Sequence, residues 1–212
     1  MRRILNILIL SMVLVPSTGF SRTIADLFAL EPGTIFPLLT RTNRLDMVDY
    51  YNNGQQVAVN NNLTGESRLL ELDSTYLKVQ TSESRVVEML IRKAGKDTVI
   101  TVIETVLTPV PDSRLSQWNV HWQRYTSDKL FAIPGIDNYI VGKMPRELRA
   151  DLQSVMPFPL VQLTFEGSNH DTIRATHGLE RFLVPEEYKR FASYLKASIS
   201  YRFNGLKIKP VK

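Results

Sequence analysis

The period of apolar and polar positions changes twice along the chain. Ile4 to Val15 is an almost unbroken apolar run, interrupted only by Asn6 and Ser11, with Arg2 and Arg3 before it and Pro16-Ser17-Thr18-Gly19-Phe20-Ser21 after it. A cationic start, a short apolar stretch and a small-residue exit form the layout of a secretory signal peptide. The run is shorter than the roughly 20 residues that a helical anchor needs. Residues 1–21 are therefore expected to be a leader cleaved after Ser21, leaving Arg22 as the mature start.

Helical spacing follows. Thr23 with Asp26 reads as an N-cap and its acidic partner, and Ile24, Leu27 and Phe28 share one face before Glu31-Pro32-Gly33 ends the helix. A second helix is expected from Asn43, with Asp46 three residues on, Leu45, Val48 and Tyr51 inward, and Asn52-Asn53-Gly54 as its stop. From Gln55 to about Tyr125 the period becomes 2. Strands are expected over Gln55–Asn60, Ser67–Asp73, Tyr76–Thr81, Arg85–Lys93, Asp97–Leu107 and Arg114–Trp122. The breaks between them are mostly short, so neighbours must run antiparallel. Leu70, Leu72, Leu77 and Val79 alternate with polar residues, which predicts one covered face and one wet face.

The last third mixes periods. Helices are expected over Pro145–Val155 and Pro185–Ala197, the second with Tyr188, Phe191, Ala192 and Leu195 as its buried stripe. Pro159–Glu166 and Asp171–Thr176 read as a hairpin around Gly167-Ser168-Asn169, and Ser198–Phe203 reads as a final strand before the Asn204-Gly205 turn. The fold class expected for 22–212 is α+β: an antiparallel β-meander sheet with N-terminal helices and a C-terminal helix-strand segment. That length suits one domain, or two packed halves meeting near 110–145.

Composition narrows the chemistry. The chain of 212 residues has no cysteine, which removes disulfides, thiolate metal sites and a cysteine nucleophile. Its net charge is +5, and loss of Arg2 and Arg3 leaves 24 basic against 21 acidic residues, or +3. The basic residues are scattered apart from Lys207, Lys209 and Lys212, so no nucleic-acid partner is expected. No second apolar run approaches membrane length, so no stable membrane insertion is expected after leader removal.

His121, His170 and His177 lack metal-ligand spacing and read as surface residues; neither a metal nor a cofactor is expected. Gly65-Glu66-Ser67 begins a nucleophile elbow, but Leu69 stands where glycine is required. Asp46 and Asp49 share a helical face with Arg44 nearby, and paired carboxylates can divide acid and base roles. The same pair also reads as a cap and a surface position. Trp118 and Trp122 alternate with Val120 on one strand face, either stacking on sugars or packing a sheet. Arg44, Asp46, Asp49, Trp118 and Trp122 are therefore candidate surface-site residues.

Several segments then carry a resemblance: Thr23–Phe28, Pro37–Thr40, Asn43–Tyr50, Leu63–Leu72 and Pro111–Ser116. Together they resemble an uncharacterised family of exported proteins of Bacteroidales bacteria. The resemblance implies export and one mixed domain, and it lends no catalytic residue. It also implies O-glycosylation, which in this group falls on Ser or Thr after Asp. Asp73-Ser74-Thr75, Asp97-Thr98-Val99 and Asp171-Thr172-Ile173 fit that sequence, making Ser74, Thr98 and Thr172 candidate positions. The function expected is a non-enzymatic envelope protein, periplasmic or extracellular, that binds another protein or a glycan. The alternative is a carboxylate-dependent hydrolase of envelope polymers.

Overall fold

The computed structural model describes residues 22–127 and 129–211; the expected leader, with Ser21, lies outside the described residues. Helix α1 (Ile24–Leu30) starts at the predicted cap. Thr23 accepts from the Asp26 amide, and Asp26 accepts back from the Thr23 amide. Helix α2 (Arg41–Asn52) begins three residues earlier than its sequence implied. Thr40 is the N-cap and Asn43 is the reciprocating third residue. Arg44 and Met47 are buried, Val48 and Tyr51 pack against the core as expected, and Leu45 is exposed.

Six strands then form an antiparallel sheet in chain order: β1 (Val59–Asn60), β2 (Glu66–Leu72), β3 (Tyr76–Ser82), β4 (Arg85–Ala94), β5 (Asp97–Val106) and β6 (Asp112–Asn119). The expected meander is present. Two details differ. A register shift between Leu69 and Glu71 places Leu69 opposite Val79 and Leu72 opposite Leu77, so Leu69 rather than Leu70 is the apolar residue that β2 buries. The last strand stops at Asn119, because Trp122 lies in a turn with φ 59° rather than in extended backbone.

Helix α3 (Arg146–Val155) leads into a second antiparallel sheet in the order β10-β9-β8-β7, from β7 (Val161–Glu166), β8 (Thr172–His177), β9 (Ser198–Asn204) and β10 (Lys207–Pro210). Short helices α4 (Leu179–Phe182) and α5 (Pro185–Ala192) connect β8 to β9. Helix α5 is shorter than expected, and Phe191 is its one fully buried side chain.

Two apolar cores result. Ile24, Phe28, Phe36 and Met47 cover one face of the six-stranded sheet over Leu77, Met89, Ile100 and Val102. On the opposite face, Tyr76, Leu90 and Ile103 meet the second sheet and residues of α3 to α5. Both faces of β5 are therefore buried, and the expected wet face is covered by the last third of the chain.

The turn after α1 is tied by charge. The Glu31 side chain is fully buried and accepts from the amides of Gly33, Ile35 and Phe36 at 2.9, 2.8 and 3.3 Å. The Arg44 guanidinium lies 3.7 Å from that carboxylate and donates to the carbonyls of Ala29, Glu31 and Leu39. Removing one member of a buried pair leaves an uncompensated charge. Arg44→Met should therefore lose about 3–5 kcal/mol in urea denaturation. A further Glu31→Gln change in the same chain should restore part of that loss.

Candidate functional site

The two sheets are joined by an edge rather than by apolar contact alone. Strand β7 is the edge of its sheet, and its outward amides find side chains of the larger sheet. Val161 N–H donates to Asp112 Oδ1 at 3.2 Å, and Leu163 N–H donates to Ser113 Oγ at 2.9 Å. The Phe165 amide donates to the Glu88 carboxylate, which also accepts from the Tyr76 hydroxyl at 2.7 Å. Burial raises the Glu88 carboxyl above its ordinary value of 4.5, and the hydrogen bond from Tyr76 only partly opposes this. Burial likewise raises the Tyr76 hydroxyl, with the neighbouring Glu88 charge adding to it.

Above Tyr76 the seam opens into a groove of about 550 Å³. Four segments distant in sequence frame it: the β2–β3 turn (Ser74, Thr75), the end of β4 (Leu90 to Lys93), the β7–β8 turn (Asn169 to Asp171) and the β9–β10 end (Arg202, Phe203, Gly205). A smaller hollow of about 270 Å³ adjoins it across Ser74, Arg92 and Lys93 and reaches Arg22 and Thr98.

The side chains are held individually. His170 has φ 54°, in the left-handed region, and its ring stacks on Tyr76 at 3.8 Å and 11°. Its Nδ1 is 3.7 Å from Asp73 Oδ2, too long for a hydrogen bond. Asp73 spends its other oxygen on the amides of Thr75 and Tyr76, which shapes the turn that carries Ser74. Gly167, in the β7–β8 turn, has φ 87°, a left-handed backbone that other residues rarely adopt. The Arg92 guanidinium lies over the Phe203 ring at 4.2 Å, and its Nε and Nη2 are sealed from solvent without a hydrogen-bond acceptor. Burial alone pulls its pKa down to about 10.

The expected site residues do not converge here. Arg44 is buried in the Glu31 knot, Asp49 is exposed on α2 and Asp46 is half-buried there. Trp118 belongs to the core beneath the helices. Its Nε1 donates to Ser116 Oγ, and its ring meets that of Trp122 at 6.1 Å. Of the three Asp-Ser/Thr positions, Ser74 is exposed on the groove rim. Thr98 is half-buried and its hydroxyl accepts from Lys93, while the Thr172 hydroxyl donates to the Glu166 carbonyl. His177, expected at the surface, is 6% exposed, and its Nδ1 accepts from the Leu179 amide. Burial lowers its pKa, so it is a neutral core residue. Among the described residues there is no cluster of three or more His, Cys, Asp or Glu side chains able to hold a metal. Among them, too, no helix is long and apolar enough to cross a membrane.

Residues 17–208 match the family described as "Protein of unknown function (DUF3256)". The chain belongs to that family. It is also similar in fold to the structure of a domain of an uncharacterized protein from Porphyromonas gingivalis W83. That match has a TM-score of 0.77 and 21% identity, covering 88% of this chain and 96% of the other. No protein among those with curated functions matches.

The buried acid gives a pH test. A carboxyl raised above its ordinary value stabilises the fold most when protonated, and that contribution fades as pH climbs through the raised value. Glu88→Gln mimics the protonated form. The variant should therefore gain stability relative to the parent as pH rises above about 4.5. Below that pH the two should converge, as read by urea midpoints across the range.

Proposed function

We propose that this protein is an exported, non-enzymatic binding protein of the cell envelope, and that the groove between its sheets receives a glycan or a segment of another protein. One observation carries the reading: four turns and strand ends, separated by up to about 130 residues of chain, place hydroxyl, amide and cationic side chains around one cavity of about 550 Å³. Binding sites of this kind are concave and fall within roughly 300–1,000 Å³. Loops held by a rigid scaffold are where recognition residues concentrate. Asp46 and Asp49, the pair a hydrolase reading would use, are absent from the lining of this groove.

Asn169 tests the reading, because it is exposed at a turn tip on the rim. Purified protein should bind either envelope polysaccharide or envelope protein in biolayer interferometry. Asn169→Trp should weaken that binding at least tenfold with no change in unfolding midpoint. Binding that survives the substitution unchanged would remove the groove from the proposal.

Export belongs to the same proposal and rests on residues 1–21. Intact mass and N-terminal sequencing of protein from its native cells should show a chain starting at Arg22. A sugar is expected on Ser74, the candidate hydroxyl that is exposed, before Thr98 or Thr172, whose hydroxyls are engaged. A chain that still begins at Met1 would refute export. Binding measurements call for unmodified recombinant protein, because Ser74 lies on the groove rim.

A further inference from the structure

The floor of the groove carries an electrostatic demand that the fold leaves open. Arg92 buries Nε and Nη2 with no acceptor, and no ion pair involves it among the described residues. These two nitrogens form one edge of the guanidinium, whose parallel N–H bonds match two oxygens of a carboxylate or phosphate. Further unpartnered groups lie deeper on the same face, outside the groove lining. Leu90 pairs with Thr101, and Thr101 pairs with Gln117, so Arg92, Thr101 and Gln117 share the face that meets the second sheet. Thr101 Oγ1 and both amide atoms of Gln117 are buried and also unpartnered. Buried polar groups without partners cost free energy, and proteins satisfy them with water or ligand.

The rim has the same sign. Lys93 and Arg202 line the groove with Arg92, while Asp171 is the one acidic residue in its lining. The remaining rim polar groups are the Ser74 and Thr75 hydroxyls, the Asn169 amide and the His170 imidazole. Protein interfaces centre on apolar and aromatic anchors. Here Phe203 is taken up by Arg92, and hydroxyls, an amide and an imidazole ring the opening. That lining favours a hydroxyl-rich ligand over a peptide.

We propose that the groove binds an acidic saccharide, whose carboxylate pairs with the Arg92 guanidinium and whose hydroxyls meet Ser74, Thr75 and Asn169. The proposal rests on the groove being this protein's binding surface. Because Nε and Nη2 are sealed from solvent, pairing requires the guanidinium to swing off the Phe203 ring toward the opening, and Lys93 and Arg202 raise the local concentration of anions at the mouth.

The test uses three probes and the Arg92 Nε–H signal in proton–nitrogen NMR of the purified protein. Sodium glucuronate should shift that signal saturably. Glucose at the same concentration should leave it in place, and N-acetylglutamate, standing for an acidic peptide, should bind at least tenfold more weakly. Arg92→Lys keeps the charge and removes the fork, so it should weaken glucuronate at least tenfold. Arg202→Gln, at an exposed rim position that the fold tolerates, should weaken glucuronate about threefold at low salt and less at high salt. A signal unmoved by glucuronate, or N-acetylglutamate binding as tightly as glucuronate, overturns the proposal. If glucose perturbs the groove as strongly as glucuronate, the acidic ligand is refuted while the binding-protein reading stands. If no probe perturbs it and Asn169→Trp leaves envelope binding intact, both fall.

Discussion

An edge strand must give its outward amides to something, and the way β7 does so shapes this molecule. Asp112, at the start of β6, and Ser113 and Glu88 of the larger sheet accept from Val161, Leu163 and Phe165 in turn. The smaller sheet therefore docks by its edge, and its apolar face turns toward Tyr76, Leu90 and Ile103 and the helices of the last third. This solution costs the burial of a carboxyl at Glu88, and the protein meets that cost by raising its pKa and giving it two donors. Where the row of accepting side chains ends, the sheets part. The groove is the space left beyond the last partner.

The other side of the larger sheet depends on a different device. Residues 31–36 carry a sharp turn whose amides point inward, and Glu31 gathers three of them on one carboxylate. Arg44 supplies the countercharge and closes the carbonyls of three residues at the same time. Glu104 repeats the arrangement at the sheet border, held by Arg85 and by Arg114 at 2.6 and 2.8 Å. Arg85 also donates to the Ile35 carbonyl at 2.9 Å, so the helical layer is pinned to the sheet by polar groups as well as by Phe28 and Phe36.

These devices explain what the sequence disclosed and what it concealed. The Thr23–Asp26 cap and the alternation of β3 to β6 depend on neighbours a few residues apart, and both were legible. The start of α2 is ambiguous in sequence because Asn43 suits either end of a capping box, and only the Thr40 contact decides which. In sequence Arg44 reads as a surface cation, because its acceptors are carbonyls, and carbonyls have no sequence signature. The bulge at Leu69 to Glu71 and the left-handed Trp122 each broke an alternation that looked continuous. The groove was illegible for the same reason on a larger scale. His170 and Arg92 gain meaning from Tyr76 and Phe203, far away in the chain. One signal was present: Arg92 occupies an inward position of β4 in step with Glu88 and Leu90, where an unpaired cation is out of place.

The likeness at 21% identity follows from this division of labour. A sheet needs apolar residues of suitable volume at alternating positions, and many sequences meet that demand. The rim of the groove obeys no such rule. Ser74, Asn169 and Asp171 sit in turns whose side chains face the open cavity, so they can change without disturbing either core. Arg92 differs from them, since it lies on a central strand and its stem is packed between the sheets. The fold thus sets one cation on a central strand and surrounds it with side chains carried by turns.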